Sequence, residues 1–363
     1  AATASVSVHS PSESQLASNF NRNLPNTAVF KQESDFSEFL ESCGFIDERY
    51  EYAVSAAGRI NVIGEHIDYC GGKVLPASLS LSNVVYVKRN GTDKINLSWT
   101  TLPDKVSIDL TDLENFNGTR HAGYQLGCIK VWKNSGRQTV GCDMLFDCNV
   151  PFGSGLSSSA AIEVSTLAAL SAVSGESIDK TQLAILAQNA EREFTKVNCG
   201  IMDQYVSANG QKDCVLMLDC KKISDVVIPL NLGEYAFVVA NTNKPHNLVE
   251  SKYNERRSET EEALKRLRKI LNISCLADLT PERFERVKNV LSERVCKRVK
   301  HVVYECDRVN RAADALKRND CVSLGKLLNE SHESLKNDFE VSCKELDVLA
   351  ELAQNNPYCL GSR

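Results

Sequence analysis

In Cys142 to Val150 the even positions Cys142, Met144, Phe146, Cys148 and Val150 are apolar, and the odd ones apart from Leu145 are polar. This two-residue period predicts a half-buried strand. Pro151-Phe152 ends it. After Ala160, apolar residues recur at Ile162, Val164, Leu167, Leu170 and Val173, which is closer to helical spacing. Upstream, residues 50–110 read mainly as strands, with turns at Asn90-Gly91 and Pro103-Asp104. Ser34 to Cys43, His121 to Trp132 and the Ala- and Leu-rich Thr181 to Phe194 read as helices. Val215 to Leu218 and Ala236 to Ala240 read as short apolar strands, and between them Asn231-Leu232-Gly233 marks a turn and a candidate domain boundary.

The rest of the chain is helical and charged. Glu250 to Leu271 carries Tyr253, Ala263, Leu264, Leu267, Ile270 and Leu271. Arg294 to Leu316 carries Val295, Val299, Val302, Val303, Cys306, Val309, Ala313 and Leu316. Both predict helices with one buried stripe, with Lys and Arg on the other faces solvated. These patterns support an α/β or α+β protein. At 363 residues the chain is long for one core, so two domains are the default. The division expected is a Ser- and Asn-rich disordered tail over 1–34, a first domain over 35–230 and a second over 231–363. The tail lacks the hydrophobic run of a signal peptide.

Composition removes several classes of function. Charged residues at 25% and hydrophobic residues at 42% are ordinary for a globular protein. A formal net charge of −5 gives no reason to expect nucleic acid or an anionic membrane as partner. No apolar run approaches the ~18–20 residues that cross a bilayer, and nothing in the pattern calls for an obligate protein partner. The 14 cysteines include no C-x-x-C pair and the six histidines are scattered, so a zinc site is not expected. Reduced thiols in a cytoplasmic protein fit best. Without a secretory signal, the N-x-S/T sequons at Asn96, Asn117, Asn272 and Asn329 read as chance.

Two loops carry the chemistry. Pro151 and Gly153-Ser154-Gly155-Leu156-Ser157-Ser158-Ser159-Ala160 lie between the strand and the helix described above. A glycine- and serine-rich loop at a helix start offers free backbone N–H groups and the positive end of the helix dipole, both suited to phosphate. No Lys-Ser/Thr follows it and it is not G-x-G-x-x-G, so the commonest phosphate motifs are excluded. A flexible strand-to-helix turn is the plainer alternative. The second loop, GRINVIGEHIDYCGGKVLP from Gly58 to Pro76, gathers Arg59, Asn61, Glu65, His66 and Asp68. Hydroxyl-rich ligands need several donors and acceptors in fixed positions, so it reads as a sugar site or, more plainly, a solvated turn.

PFGSGLSSSAA resembles the ATP-binding motif of the GHMP kinases, and the Gly58–Pro76 string resembles the signature of their galactokinase branch. CGIMDQYVSANGQ (Cys199 to Gln211), NTNKPHNLVESKYNERR (Asn241 to Arg257) and ESHESLKNDFEVSCKELD (Glu330 to Asp347) also resemble galactokinase segments, in family order. The resemblance runs from about residue 35 to the last residue. It implies two mixed α/β lobes with the active site in the cleft between them, and phosphorylation of D-galactose by ATP. By the same resemblance Asp203 is the catalytic aspartate with Arg59 beside it. Sugar contacts would come from Arg59, Glu65, His66, Asp68, Gly200, Asp203 and Tyr253, and Mg²⁺ ligands from Ser159 and Glu191. The plainer alternatives are a surface helix residue for Glu191 and a core histidine for His66. IDYCG at Ile67 to Gly71 looks more like the N-acetylgalactosamine kinases, which gives a second substrate. A non-catalytic galactose and ATP sensor is a third reading, against which the intact SSSAA counts. In the family a Gly-Ser-Arg like Gly361-Ser362-Arg363 runs into a further glycine-rich motif, so the second domain is expected to be incomplete and kinase activity low.

Overall fold

The structure is a computed structural model that describes residues 7–9, 50–116, 120–195, 198–242 and 249–363. Its strands are β1 (Ser7–His9), β2 (Tyr52–Asn61), β3 (Lys73–Val74), β4 (Pro76–Arg89), β5 (Lys94–Trp99), β6 (Lys105–Asp109), β7 (Cys142–Cys148), β8 (Cys214–Asp219) and β9 (Ser224–Pro229). The helices are α1 (Gly123–Asn134), α2 (Ser158–Ser174), α3 (Lys180–Ala190), α4 (Met202–Asn209), α5 (Val249–Leu267), α6 (Pro281–Val287), α7 (Glu293–Lys317), α8 (Cys321–Ser334) and α9 (Lys344–Gln354). The large sheet runs β1-β2-β4-β7-β5-β6 and a smaller one β3-β8-β9. Neighbours are antiparallel except β5 and β7, which pair in parallel.

Helix α2 crosses β2 and β4, with α1, α3 and α4 packed around it. It is buried almost all round, with Glu163, Ser165 and Thr166 buried among its apolar residues. The buried Asn83 amide donates to Ser165 Oγ at 2.7 Å, which gives a polar group at the sheet–helix contact its partner. In β7 the inward positions Cys142, Met144 and Phe146 are buried as the period predicted, and Leu145 is buried as well.

Several expectations need correction. Ser7–His9 pairs antiparallel with β2, so the tail is not wholly unstructured. The rest of 1–34, and the Ser34–Cys43 helix, lie outside the described residues. Thr181 to Phe194 is helical, but the α-helix stops at Ala190 and widens into a π-turn over Glu191–Thr195. Ala236 to Ala240 forms no strand, since no described residue pairs with it, and Val238 and Val239 are exposed. The strand that pairs with β8 is instead β9. The Asn231–Gly233 turn is present, with Gly233 at φ 60.

Helix α7 shows the predicted apolar stripe, but its charged residues are not all solvated. Arg298, His301, Glu305 and Arg308 are buried. Burial of such groups requires partners. Arg298 donates to Glu259 Oε2, the Asp338 carbonyl and Glu340 Oε2 at 2.6–2.7 Å, and Arg308 pairs with Glu305 at 2.7 Å. Among the described residues every cysteine is a free thiol, and no helix is long and apolar enough to cross a membrane.

Candidate functional site

Arg59 lies near the end of β2, and the Pro151–Ser157 loop is tied to it there. Its backbone N–H donates to the Leu156 carbonyl at 3.0 Å, and its Nη1 donates to the Gly155 carbonyl at 2.6 Å. A Cβ on the preceding Gly58 would come within 2.7 Å of the Leu156 carbonyl, so strand and loop approach this closely only because that residue is glycine. The remaining edge of the Arg59 guanidinium meets Asp203, on the first turn of α4. Nε and Nη2 each donate to one carboxylate oxygen at 2.7 Å. Two parallel charge-assisted bonds fix orientation as well as attraction. Ser157 Oγ donates to Asp203 Oδ2 at 2.6 Å, so this loop hydroxyl serves the aspartate.

The loop itself has the form a phosphate cradle needs. Gly153, Gly155 and Ser157 all have positive φ, at 67, 76 and 59. An added Cβ at either glycine would meet nothing within 4 Å, so the space beside the backbone is open. Ser157 precedes α2 in the left-handed region and makes no side-chain cap. Ser154 Oγ donates back to the Pro151 carbonyl at 2.6 Å and holds the loop. Ser158, Ser159 and Ala160 then present the first N–H groups of α2, the helix end that favours anions.

Ser159 Oγ donates to Glu191 Oε1 at 3.3 Å. Glu191 opens the π-turn after α3, and such widenings redirect side chains at functional sites. Its Oε2 accepts from Gln204 Nε2, which also donates to the buried Glu163 at 3.2 Å. Burial first, then the charge of Asp203, raises the Glu191 pKa above the usual carboxylate value. A bound cation would relieve that cost. Two hard oxygen donors beside a phosphate loop fit Mg²⁺, which keeps most of its ligands as water and phosphate. No group of three or more His, Cys, Asp or Glu among the described residues is arranged to hold a metal.

The sugar-signature loop closes the other side. Glu65 accepts from Asn61 Nδ2 at 2.9 Å and from Arg363 Nη2 at 3.0 Å. Burial alone would raise its pKa, but Arg363 and Arg59 outweigh it and hold the carboxyl down at about 2. His66 has φ 62. Its ring lies 4.9 Å from that of Phe339 and 5.6 Å from that of Tyr253, and its Nδ1 is 3.0 Å from the Tyr69 hydroxyl. Burial pushes the imidazole down to about 4. Asp68 packs directly on Gly200, where a Cβ would sit 1.6 Å from Oδ2. Burial, with the Asp203 charge beside it, raises the Asp68 carboxyl to about 7.

The structure thus brings Arg59, Asp203, Gly155 and Ser157 into direct contact, pairs Ser159 with Glu191, and seats Asp68 on Gly200 and Tyr253 beside His66. Of the Asn241–Arg257 segment, residues 243–248 lie outside the described ones. Arg363, Gln204 and Glu163 were missed as neighbours of these residues. Arg363 stood out only as part of the Gly361-Ser362-Arg363 motif, which does not point to its partners some three hundred positions away. Gln204 had a signal, its place next to Asp203.

Residues 41–89 match the galactokinase galactose-binding signature and residues 124–211 the GHMP kinase N-terminal domain. The galactokinase of Clostridium tetani is 42% identical over 308 residues, 84% of this chain and 79% of its own length. That of Clostridium acetobutylicum is 41% identical over 319 residues, 86% of this chain and 82% of its own. The chain belongs to the galactokinase family of GHMP kinases. Lactococcus lactis galactokinase, solved with galactose, superposes with a TM-score of 0.86 at 35% identity, covering 90% of this chain and 85% of that one. A mevalonate kinase structure shares the fold at 17% identity and a TM-score of 0.56, as expected within the wider family.

Proposed function

We propose that the protein transfers the γ-phosphoryl group of ATP to D-galactose, forming galactose 1-phosphate. The observation that carries this reading is the Arg59–Asp203 pair, bound in two places and set between the 153–160 loop and the sugar-signature loop. Phosphoryl transfer depends mainly on positioning and charge neutralisation. Asp203 orients the attacking hydroxyl and accepts its proton late, as the new bond to γ-phosphorus forms and the bond to the β-phosphate oxygen breaks, leaving ADP. A sugar alcohol is a very weak acid and any carboxylate a far weaker base than an alkoxide, so early full deprotonation is disfavoured. Arg59 offsets the developing charge.

The N–H groups of Gly153 to Ala160 hold the phosphates. Ser159 and Glu191 would hold Mg²⁺, which would supply further neutralisation of phosphate charge. Glu65, His66, Asp68, Gly200 and Tyr253 select the sugar through hydroxyl contacts that an ill-matched analogue leaves unpaired. We assign residues 35–230 and 231–363 to the two lobes and place the protein in the cytoplasm.

The test is turnover of a sugar panel with Mg-ATP on the full chain. Galactose is expected to give galactose 1-phosphate with the highest kcat/KM. A higher value for N-acetylgalactosamine would transfer the assignment to that sugar. Binding of galactose and ATP with no ADP formed would make the protein a sensor.

A further inference from the structure

The turn that aims Glu65 is held from below by one face of α7. Gly64 has φ 108 and His66 φ 62. A non-glycine residue in the left-handed region persists only where its surroundings over-determine it. Three successive turns of α7 do so here. His301 Nε2 lies 3.0 Å from the Glu65 carbonyl, and its Nδ1 lies 2.9 Å from Ser334 Oγ. Glu305 Oε1 accepts from the Gly64 backbone N–H at 3.0 Å and from Ser331 Oγ at 2.7 Å, while its Oε2 takes Arg308. Val309 lies against Gly64, 3.0 Å from where a Cβ would be. Phe339, itself fully buried, lies against both His301 and His66, at 4.7 and 4.9 Å.

Both backbone groups on either side of the Gly64–Glu65 peptide are therefore bonded to buried side chains more than two hundred residues away. Helix α7 has ample apolar residues to pack with, so burying His301 and Glu305 is not needed for the core. Each has one partner on α8, Ser334 or Ser331, and one in the sugar turn. We propose that His301 and Glu305 are positioning residues that set the orientation of Glu65, and hence sugar affinity, without touching the sugar. This rests on the reading of Glu65 as a sugar contact. Replacing the imidazole by a ring of similar shape without a donor frees the Glu65 carbonyl and lets the strained turn relax. Among the described residues no bond joins the phosphate loop to α7, so the loop stays as it is.

The experiment compares galactose and ATP affinities by calorimetric titration of the full chain for His301→Phe, His301→Gln, Glu305→Gln and Glu65→Ala. Thermal melting of each variant monitors folding. His301→Phe is expected to weaken galactose binding about tenfold, the scale of one buried hydrogen bond lost, and to leave ATP binding unchanged. His301→Gln, which restores a donor, recovers most of the loss. Glu305→Gln keeps an acceptor for the Gly64 N–H and gives a smaller loss in the same direction. Equal weakening of both ligands, or failure of His301→Gln to recover affinity, would overturn the proposal. Loss of galactose binding in Glu65→Ala with none in His301→Phe overturns the proposal alone. Unchanged binding in Glu65→Ala overturns the assignment of Glu65 and the proposal with it.

Discussion

Replacing Asp203 by Asn separates its chemistry from its shape. Three donors converge on this carboxylate, Arg59 Nε and Nη2 at 2.7 Å and Ser157 Oγ at 2.6 Å. An amide offers one oxygen in place of two and turns an NH₂ toward a guanidinium N–H. One charge-assisted bond is lost, about 1.5–3 kcal/mol in a site that is partly shielded from water. The larger effect falls on turnover. Loss of a general base costs about 10²–10⁴ in rate, or about 3–5 kcal/mol of barrier. Removing a negative charge beside Arg59 does not repel ATP, so nucleotide affinity should hold or improve. The assay is single-turnover transfer of labelled phosphate to galactose at high enzyme concentration, with ATP affinity measured separately. The expected result is a single-turnover rate constant, and with it kcat, down by at least about a hundredfold with ATP binding intact. Near-normal kcat in Asp203→Asn would refute both the base and the orienting role. Collapse of ATP binding together with kcat would mean that Arg59 had moved and that the effect was structural.

Arg363→Gln removes the guanidinium that bonds Glu65 at 3.0 Å and the Val62 carbonyl at 2.8 Å. Glu65 is about a third exposed, at 32%, so the loss is discounted for screening. Galactose affinity should fall about tenfold with ATP affinity unchanged, and calorimetry showing both unchanged would remove Arg363 from the site. In Gly200→Ala the new methyl would lie 1.6 Å from Asp68 Oδ2, so Asp68 must move. The galactose KM is expected to rise sharply and the ATP KM to stay, and an unaltered galactose KM would show that Asp68 does not contact sugar. The raised Asp68 pKa of about 7 means that the folded state holds this proton more tightly than the unfolded chain. Its stabilisation is full below the ordinary carboxylate range and is lost as pH rises through about 7. His66, lowered to about 4, acts in the opposite sense below its ordinary value of about 6.5. The readout is therefore the difference in Tm between wild type and Asp68→Asn from pH 6.5 to 8. The wild type should lose more, and parallel curves would contradict the assignment.

The sequence by itself determined the local elements around the site and the identity of its chemistry. The alternating run into β7, the glycine- and serine-rich loop and the apolar α2 are set by near neighbours along the chain, and backbone preferences and periodicity act at that range. The galactokinase motifs named Arg59, Asp203, Ser159 and Glu191, and the fold puts the first two in contact and the second two within 3.3 Å. Tertiary structure alone decided the rest. Whether Ala236 to Ala240 becomes a strand depends on a partner, which an apolar pattern cannot supply. Whether Arg298 and Arg308 face water or the core depends on Glu259, Glu340 and Glu305 meeting them. That Ser157 bonds Asp203 follows from the loop meeting α4, which brings the two within 2.6 Å. Arg363, His301 and Glu305 acquire meaning only because the chain returns them to the Gly64–His66 turn. A side chain's charge is written in the sequence, but its burial, its partner and therefore its pKa are properties of the packed molecule.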